Sequence, residues 1–138
     1  MAIRQISVFV QNTSGRLAEV TALLAANNLN LRAISIADTA DFGILRMIVD
    51  QPDQTLAILK TAGITAKETE VIGVEVEDNP GELARVTELF KDSGINIEYL
   101  YASLERCSDR AIIVLKVNQV ATGIKLLDSN GFHTVSAF

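Results

Sequence analysis

The stretch from Val74 to Ile97 decides how this chain folds, and it reads VEVEDNPGELARVTELFKDSGINI. Its first residues alternate between apolar and charged side chains, which is typical of a β-strand with one buried face. Pro80 and Gly81 then interrupt the alternation. Apolar residues follow at helical spacing, at Leu83, Val86 and Leu89. The stretch therefore predicts a strand, a tight turn, an amphipathic helix and the beginning of a second strand.

The same pattern occurs earlier in the chain, so the sequence contains an internal repeat. Adding 66 to a residue number in the first copy gives the matching residue of the second copy, as Val8 gives Val74. The identical positions of the first copy are Ile6, Val8, Val10, Gly15, Leu17, Ala18, Val20, Thr21, Leu23 and Asn30. Later in the repeat the offset becomes 68, which puts two extra residues around Glu105–Asp109 of the second copy. We expect them in a surface turn, where changes of length are tolerated.

The first copy predicts the order strand, helix, strand, strand, helix, strand. The segments are a strand around Ile6–Val10, a helix from Leu17 that stops at Asn27-Asn28, strands Leu29–Ala37 and Phe42–Val49, a helix between Pro52 and Gly63, and a strand Ile64–Thr69. With right-handed crossovers, this βαββαβ order gives a four-stranded antiparallel sheet with two helices on one face, which is the ferredoxin-like arrangement. We therefore predict an α+β protein of two tandem ferredoxin-like modules, at residues 1–69 and 70–138.

Composition limits the class of protein. Of the 138 residues, 49% are hydrophobic, which is enough for a compact core. The net charge of −5, the absence of a Lys/Arg cluster and the 5% aromatic content all disfavour a nucleic-acid partner. The chain has one cysteine, Cys107, no apolar run of the ~18 residues that a membrane helix needs, and no signal-like leader after Met1. We expect a cytoplasmic protein without a membrane partner.

The turn after the first strand of each copy is the first candidate for function. Gly15 and Gly81 let the backbone bend and let another group approach closely, because glycine has no Cβ. The following helix points its unpaired N–H groups and the positive end of its dipole at this turn, which favours an anion. Asn12 and Asp78 precede the glycines and offer oxygen atoms to an ammonium group. The turn thus has both partners that a zwitterionic amino acid needs, although a tight turn at a helix start explains each glycine equally well.

The segments Asp78–Gly81 and Gly94–Ile97, with the apolar helix positions between them, resemble the ACT domain. This small regulatory module is named from aspartate kinase, chorismate mutase and the prephenate dehydrogenase family, and both copies fit it. The resemblance implies an amino-acid sensor whose modules pair side by side. It also implies a ligand held between the strand–helix loop of one module and the asparagine at the second-strand start of the other. Carried over to this sequence, the ligand-binding residues are Asn12, Thr13, Ser14, Gly15 and Asn30 in the first copy, and Asp78, Asn79, Pro80, Gly81 and Asn96 in the second.

The two copies differ within the loop, since Thr13-Ser14 stands where the second copy has Asn79-Pro80. Without the fixed φ of Pro80, we expect the first loop to be less rigid. The asparagines Asn30 and Asn96 also have a purely structural explanation, because asparagine is common in turns. Members of the family are usually fused to an enzyme, and the two copies here cover the chain. We therefore expect a free-standing regulatory protein that forms a homodimer.

The sequence indicates no catalytic group, metal or cofactor. Nothing in the spacing of Cys107 and His133 brings the thiol and the imidazole together, and metal-ligand spacing is absent. A phosphate loop of the acylphosphatase type needs an arginine, but Arg16 of the first copy is matched by Glu82 in the second. We expect a protein that is not an enzyme. Two roles stay open: an amino-acid sensor, or a regulatory or interaction subunit of an amino-acid biosynthetic enzyme of the acetolactate synthase type.

Overall fold

The fold is that of a computed structural model, which describes residues 2–38, 41–107 and 110–136. The elements are β1 (Ile3–Gln11), α1 (Arg16–Ala26), β2 (Leu31–Asp38), β3 (Phe42–Val49), α2 (Pro52–Thr61), β4 (Ala66–Glu77), α3 (Glu82–Asp92), β5 (Ile97–Cys107), β6 (Arg110–Val117), α4 (Val120–Ser129) and β7 (His133–Val135). The chain divides into two compact units within β4. Arg4–Thr69 is the first unit, and the residues from Glu70 onward, with those before Arg4, form the second unit.

The first unit contains an antiparallel sheet in which β3 lies between β1 and β2, and β4 pairs with the other edge of β1. The amide of Phe9 donates to the carbonyl of Thr65 just before β4, at 3.0 Å. One core cluster joins alternate residues of β1 to both helices, and its members include Ile6, Val8 and Val10 with Val20, Leu24 and Leu59. Both helices therefore cover the same face of the sheet.

The second unit repeats this arrangement with β5, β6, β4 and β7 in that order across its antiparallel sheet. Its core again joins one face of the first strand to both helices, through Ile72, Val74, Val76, Val86, Phe90 and Leu127. The predicted antiparallel sheet and mixed helix and strand content are confirmed.

The helix boundaries follow residues with known capping chemistry. Helix α1 ends before Asn27, whose Nδ2 donates to the carbonyl of Leu23 at 2.8 Å, and Asn28 takes a left-handed φ of 56°. Helix α2 begins at Pro52, where the missing amide hydrogen costs nothing. These ends were predicted because the capping residues act locally.

The last strand of the first repeat differs from its predicted limits. Instead of ending at Thr69, the strand that begins at Ala66 continues to Glu77, since no proline or turn sequence interrupts it. In the second unit the register of β5 against β6 shifts between Ala102 and Arg106. The extra length was predicted around Glu105–Asp109, of which Ser108 and Asp109 lie outside the described residues.

Arg4 connects three elements of the first unit. Its Nη2 lies 2.5 Å from Oδ1 of Asp53 in α2, and its Nε donates to the carboxylate of Glu68 in β4. The hydrogen bond from Arg4, together with its charge, lowers the pKa of Asp53 below the usual range. The side chains are largely exposed, so their contribution to stability is small. The matching residues of the second unit are Glu70, Ala121 and Ser136.

We expect Asp53→Asn to lower the thermal midpoint slightly at pH 7 and to have no effect at low pH. The folded-state pKa of Asp53 lies below its unfolded value of about 3.9, so this stabilisation is present above that value and is lost as the pH falls through the folded pKa. Thermal unfolding from pH 7 down to pH 2 measures the difference. Asp92→Asn, outside this ion-pair group, is the control. A difference between wild type and Asp53→Asn that stays constant with pH would contradict the linkage.

Candidate functional site

The loop between β1 and α1 is exposed and is held by its own backbone. The amide of Asn12 donates to the carbonyl of Asp41 at 3.0 Å, and the amide of Thr13 donates to the carbonyl of Gln11 at 2.8 Å. Asn12, Thr13, Ser14 and Gly15 are all exposed. The loop therefore has a defined backbone that is exposed to solvent.

Gly15 and Gly81 have almost the same conformation, with φ of 89° and 91° and ψ of −11° and −9°. This region favours glycine. A Cβ added at either position would meet nothing within 4 Å. The backbone angle thus favours glycine, and no other group of the described chain approaches either glycine closely.

Each glycine precedes a helix whose first turn faces the loop. The helical bonding begins with the amides of Glu19 and Arg85, which donate to the carbonyls of Gly15 and Gly81, both at 3.0 Å. Glycine has no side chain that could accept hydrogen bonds from the earlier amides of the helix, so the first turn has no side-chain cap. The amides of Arg16 and Glu82 donate to the carbonyls of Thr13 and Asn79, at 3.4 and 3.3 Å, so the amides of the next two residues are those that each helix start can offer to an anion.

The second loop differs from the first in its side chains. Asp78, Asn79, Pro80 and Gly81 are all exposed. The Nδ2 of Asn79 donates to Oε2 of Glu77 at 2.9 Å, so this amide binds back to the end of β4. Asp78 adds a negative charge that Asn12, its match in the first loop, does not have.

Asn30 and Asn96 are each fixed through their backbone. The amide of Asn30 donates to Oδ1 of Asp50 at 3.2 Å, and the amide of Asp50 donates to the carbonyl of Asn30 at 3.2 Å. Asn96 and Asn118 make the same pair of bonds, at 3.0 and 3.3 Å. The side chains of both Asn30 and Asn96 are exposed. Sequence reasoning missed Asp50 and Asn118, although both follow the matching residues Val49 and Val117.

The loop and the asparagine of one unit lie at opposite ends of its sheet. Gln11 before the first loop is opposite Phe42 at the start of β3, whereas Leu31 after Asn30 is opposite Val49 at its end. An eight-residue strand such as β3 spans roughly 25 Å. The register in the second unit is equivalent. A single unit therefore cannot bring its loop and its asparagine to one small ligand.

A cleft that the sequence did not reveal opens beside each loop. In the first unit it has a volume of about 330 Å³, and Gln11 and Arg16, on either side of Asn12–Gly15, are among its walls. We call it the first cleft. Its apolar walls include Phe9, Val10, Val20, Phe42 and Ile64.

The second cleft is at the matching place in the second unit and has a volume of only about 110 Å³. Its walls include Glu77 and Glu82, on either side of Asp78–Gly81. Arg110 lies 3.4 Å from Glu75 and 3.9 Å from Glu77, and these ion pairs lie among its walls. The sequence could have revealed the difference between the two clefts, because matching positions of the two copies hold unlike residues, such as Phe42 and Arg110.

An exposed leucine lies beside each loop. Leu17 and Leu83 are the second residues of α1 and α3, and they are 41% and 40% exposed. An apolar side chain with the same exposure in both copies offers each loop a surface for a ligand or a second module.

Cys107 and His133 lie on different strands of the second unit, as far as its backbone is described. Cys107 belongs to β5 and His133 to β7, at opposite edges of a sheet in which β6 and β4 lie between them. Four adjacent strands separate the outer backbones by roughly 14 Å. Within the described ranges, no group of three or more His, Cys, Asp or Glu residues could hold a metal ion. None of the helices there is long and apolar enough to cross a membrane.

Several solved structures are similar to this one. A crystallised protein of Bacteroides thetaiotaomicron is 37% identical with a TM-score of 0.93, and the match covers 99% of this chain and 94% of that one. The ligand-free regulatory subunit of aspartate kinase from Thermus thermophilus is 16% identical with a TM-score of 0.66, over 93% and 92% of the two chains. At that identity the likeness shows the fold alone.

Sequence comparison adds a curated relative and a family. The acetolactate synthase small subunit of Mycobacterium bovis is 34% identical over 82 residues, which cover 49% of this chain and 49% of the relative. The chain thus spans about half the length of the curated relatives it matches. The ACT domain pair family matches residues 1–132, which include both units and both glycine loops. This match over nearly the whole chain shows that the protein belongs to the ACT domain pair family.

Proposed function

We propose that this chain is an amino-acid-binding regulatory protein without catalytic activity. Its ligand lies between the strand–helix loop of one ACT module and the second-strand asparagine of another. The observation that carries the proposal is the duplicated loop, in which Gly15 and Gly81 have the same left-handed backbone before a helix. Membership of the ACT domain pair family supports it.

Each part of the loop has a defined role in this proposal. The first-turn amides after Gly81 bind the α-carboxylate, and the helix dipole adds to the attraction. Asp78 accepts a hydrogen bond from the α-ammonium group. In the first loop, the amides after Gly15 and the side chain of Asn12 take the same roles, with Thr13 and Ser14 between them. Asn79 and Pro80 hold the shape of the second loop.

The asparagine completes the site from a second module. The amide side chain of Asn30 or Asn96 can both donate to a carboxylate and accept from an ammonium group. Because the loop and the asparagine of one unit are at opposite ends of its sheet, a ligand that touches both must join two modules. Such a ligand favours the arrangement of modules that forms its site, typically by 1 to 3 kcal/mol. We propose that this shift is the regulatory signal of a cytoplasmic homodimer.

Asp78→Ala should weaken amino-acid binding by about tenfold or more, because a hydrogen bond to a charged group is worth about 1.5 to 3 kcal/mol. Calorimetry and thermal-shift measurements against the twenty amino acids identify the ligand first. Asp78→Asn then separates charge from hydrogen bonding, and Asp92→Ala is a control outside the loop. If Asn12→Ala abolishes binding and Asp78→Ala has no effect, the first loop is the binding site instead.

A second function is favoured by the relationship to the acetolactate synthase small subunit of Mycobacterium bovis. In this alternative the chain is a regulatory or interaction subunit of an amino-acid biosynthetic enzyme. Its partner is then the catalytic subunit of an enzyme of the acetolactate synthase type. A change in that subunit's activity when the chain is added, without binding of any amino acid at millimolar concentration, would favour the alternative.

A further inference from the structure

A groove runs along α3 in the second unit, and we call it the α3 groove. Its volume is about 410 Å³. The α3 residues among its walls span about two turns of the helix, or roughly 12 Å along its axis. They are Ala84, Arg85, Glu88, Leu89 and Asp92. The opposite wall comes from the α4–β7 turn, through Asn130 and Phe132. The groove can therefore hold an elongated segment of chain.

The floor of the α3 groove is apolar. Leu89 and Phe132 are half-buried and pack against the core of the second unit. The Cζ of Arg85 lies 4.9 Å from the centroid of the Phe132 ring, and its Nη1 lies 3.0 Å from Oε1 of Glu82. The positive charge at this end of the groove thus already has an anionic partner.

The rim of the α3 groove consists of hydrogen-bond acceptors. Glu88 and Asp92 are exposed and stand four residues apart, so they lie on one side of α3 with their Cβ atoms about 5 to 6 Å apart. The Nδ2 of Asn130 donates to the carbonyl of Leu126 at 2.8 Å, which leaves its Oδ1 as an acceptor. Lys91 reaches Glu88 at 3.7 Å, but both side chains are exposed and such a contact is weak. The rim therefore suits a cationic donor group.

The first unit lacks this rim. Three alanines, Ala22, Ala26 and Ala62, stand at the positions of the three rim residues. The floor positions hold Leu23 and Ile64, so the apolar floor is common to both repeats. A rim that is present in one repeat and absent from the other is not required by the shared fold.

The net negative charge of the chain belongs to the second repeat. Residues 4–69 contain six acidic and six basic residues, whereas residues 70–138 contain eleven acidic and six basic residues. The second repeat thus has a net charge of −5 and the first has none. Repulsion between like charges disfavours a second copy of this unit, or any other anionic partner, at the groove. A basic partner is attracted to it instead.

We propose that the α3 groove is a docking surface for a basic, amphipathic segment of a partner protein. An apolar side chain of that segment packs on Leu89 and Phe132, and an arginine beside it binds the rim. A guanidinium group has five N–H donors in one plane, so it can bind both a carboxylate and the Oδ1 of Asn130. None of the loop residues Asp78–Gly81 is among the walls of the groove. The proposal therefore does not depend on amino-acid binding at the loop.

Three peptides test the chemistry of the partner. The first is an acetylated and amidated peptide that repeats Arg-Leu-Ala-Arg, and the other two have glutamine or glutamate in place of arginine. Fluorescence anisotropy with the full chain should show binding of the arginine peptide. The glutamine peptide should bind about tenfold more weakly or worse, because it loses the charge-assisted hydrogen bonds. The glutamate peptide should not bind. Failure of the arginine peptide to bind at submillimolar concentration overturns the proposal.

Matched variants test the residues. The triple variant Glu88→Ala/Asp92→Ala/Asn130→Ala gives the rim the alanines of the first repeat, and it should weaken binding of the arginine peptide about tenfold or more. The double variant Glu70→Ala/Glu98→Ala removes the same charge from exposed residues that do not line the groove. It should keep most of the wild-type affinity. Circular dichroism of each variant establishes that it is folded.

The outcomes separate docking in the groove from general attraction between charges and from the loop site. An equal loss of peptide binding in the triple and double variants overturns the proposal, because net charge then explains the binding. A loss in Asp78→Ala, with binding kept in the triple variant, also overturns it and assigns the peptide to the second loop. Amino-acid binding is measured separately and should be unchanged in the triple variant. The failure of either proposal can therefore be recognised independently of the other.

Discussion

Replacing Gly123 by threonine should lower the free energy of unfolding by about 3 kcal/mol, at the upper end of the cost of overpacking a core. Gly123 is buried in α4, and a Cβ there would lie 2.9 Å from Cδ1 of Ile72 and 3.1 Å from Cε1 of Phe90. Ile72 and Phe90 are fully buried, so neither side chain can move aside freely. Thermal unfolding should show a midpoint lower by about 5 to 15 °C.

Phe90→Leu should relieve part of this cost. At the matching positions the first unit has Leu24 and Thr55, which are 2% and 0% exposed. The first unit thus has the smaller side chain, Leu24, in α1 and the larger residue, Thr55, in α2. The second unit has the larger side chain, Phe90, in α3 and the smaller residue, Gly123, in α4. Each single substitution should lower the free energy of unfolding. In the double variant Phe90→Leu/Gly123→Thr, we expect a loss that is smaller than the sum of the two single losses by about 1 kcal/mol or more. Additive effects in this double-mutant cycle would show that the two positions do not share space.

Gly81→Val should destabilise the protein by about 2 kcal/mol and also weaken amino-acid binding. A φ of 91° is costly for any residue with a Cβ, and most costly for a β-branched one. The chain would avoid the strain by changing the loop, and the first-turn amides of α3 would then lose their alignment. Chemical denaturation measures the first effect, and calorimetry measures the second.

Gly81→Asn is the matched variant, because asparagine tolerates left-handed backbone and this chain already has Asn28 at a φ of 56°. It should cost clearly less stability than valine and keep more of the binding. Ala57→Gly, in the middle of α2, changes backbone freedom without a left-handed angle and lies outside the loop, so it serves as the control. If Gly81→Val and Gly81→Asn had equal effects on stability and binding, the left-handed φ would not be the reason why glycine stands at this position.

Much of the fold could be predicted because its signals are local. The alternation around Val74 identified β4, Pro52 marked the start of α2, and Asn27-Asn28 marked the end of α1. The strand Phe42–Val49 was predicted with its observed limits. The continuity of β4 across the join between the two repeats was missed, because local signals could not distinguish two short strands from one long strand.

The candidate site was predicted in part. The glycine positions were visible from duplication, and their left-handed angle agrees with the choice of residue. The backbone pairing of Asn30 with Asp50 was not visible, because it joins residues far apart in the chain. The ligand-binding residues remain a prediction.

The sequence by itself determined the internal repeat, the order of helices and strands, and the glycine before each first helix, because periodicity, proline and glycine act over a few residues. Only the tertiary structure decided that each loop and its asparagine lie at opposite ends of a sheet. It also decided that the first cleft is the larger of the two and has more apolar residues among its walls than the second. The residues that line each cleft come together through the register of the strands and through the α2–β4 and α4–β7 turns. These contacts join residues that are far apart in the chain, so no local pattern in the sequence predicts them.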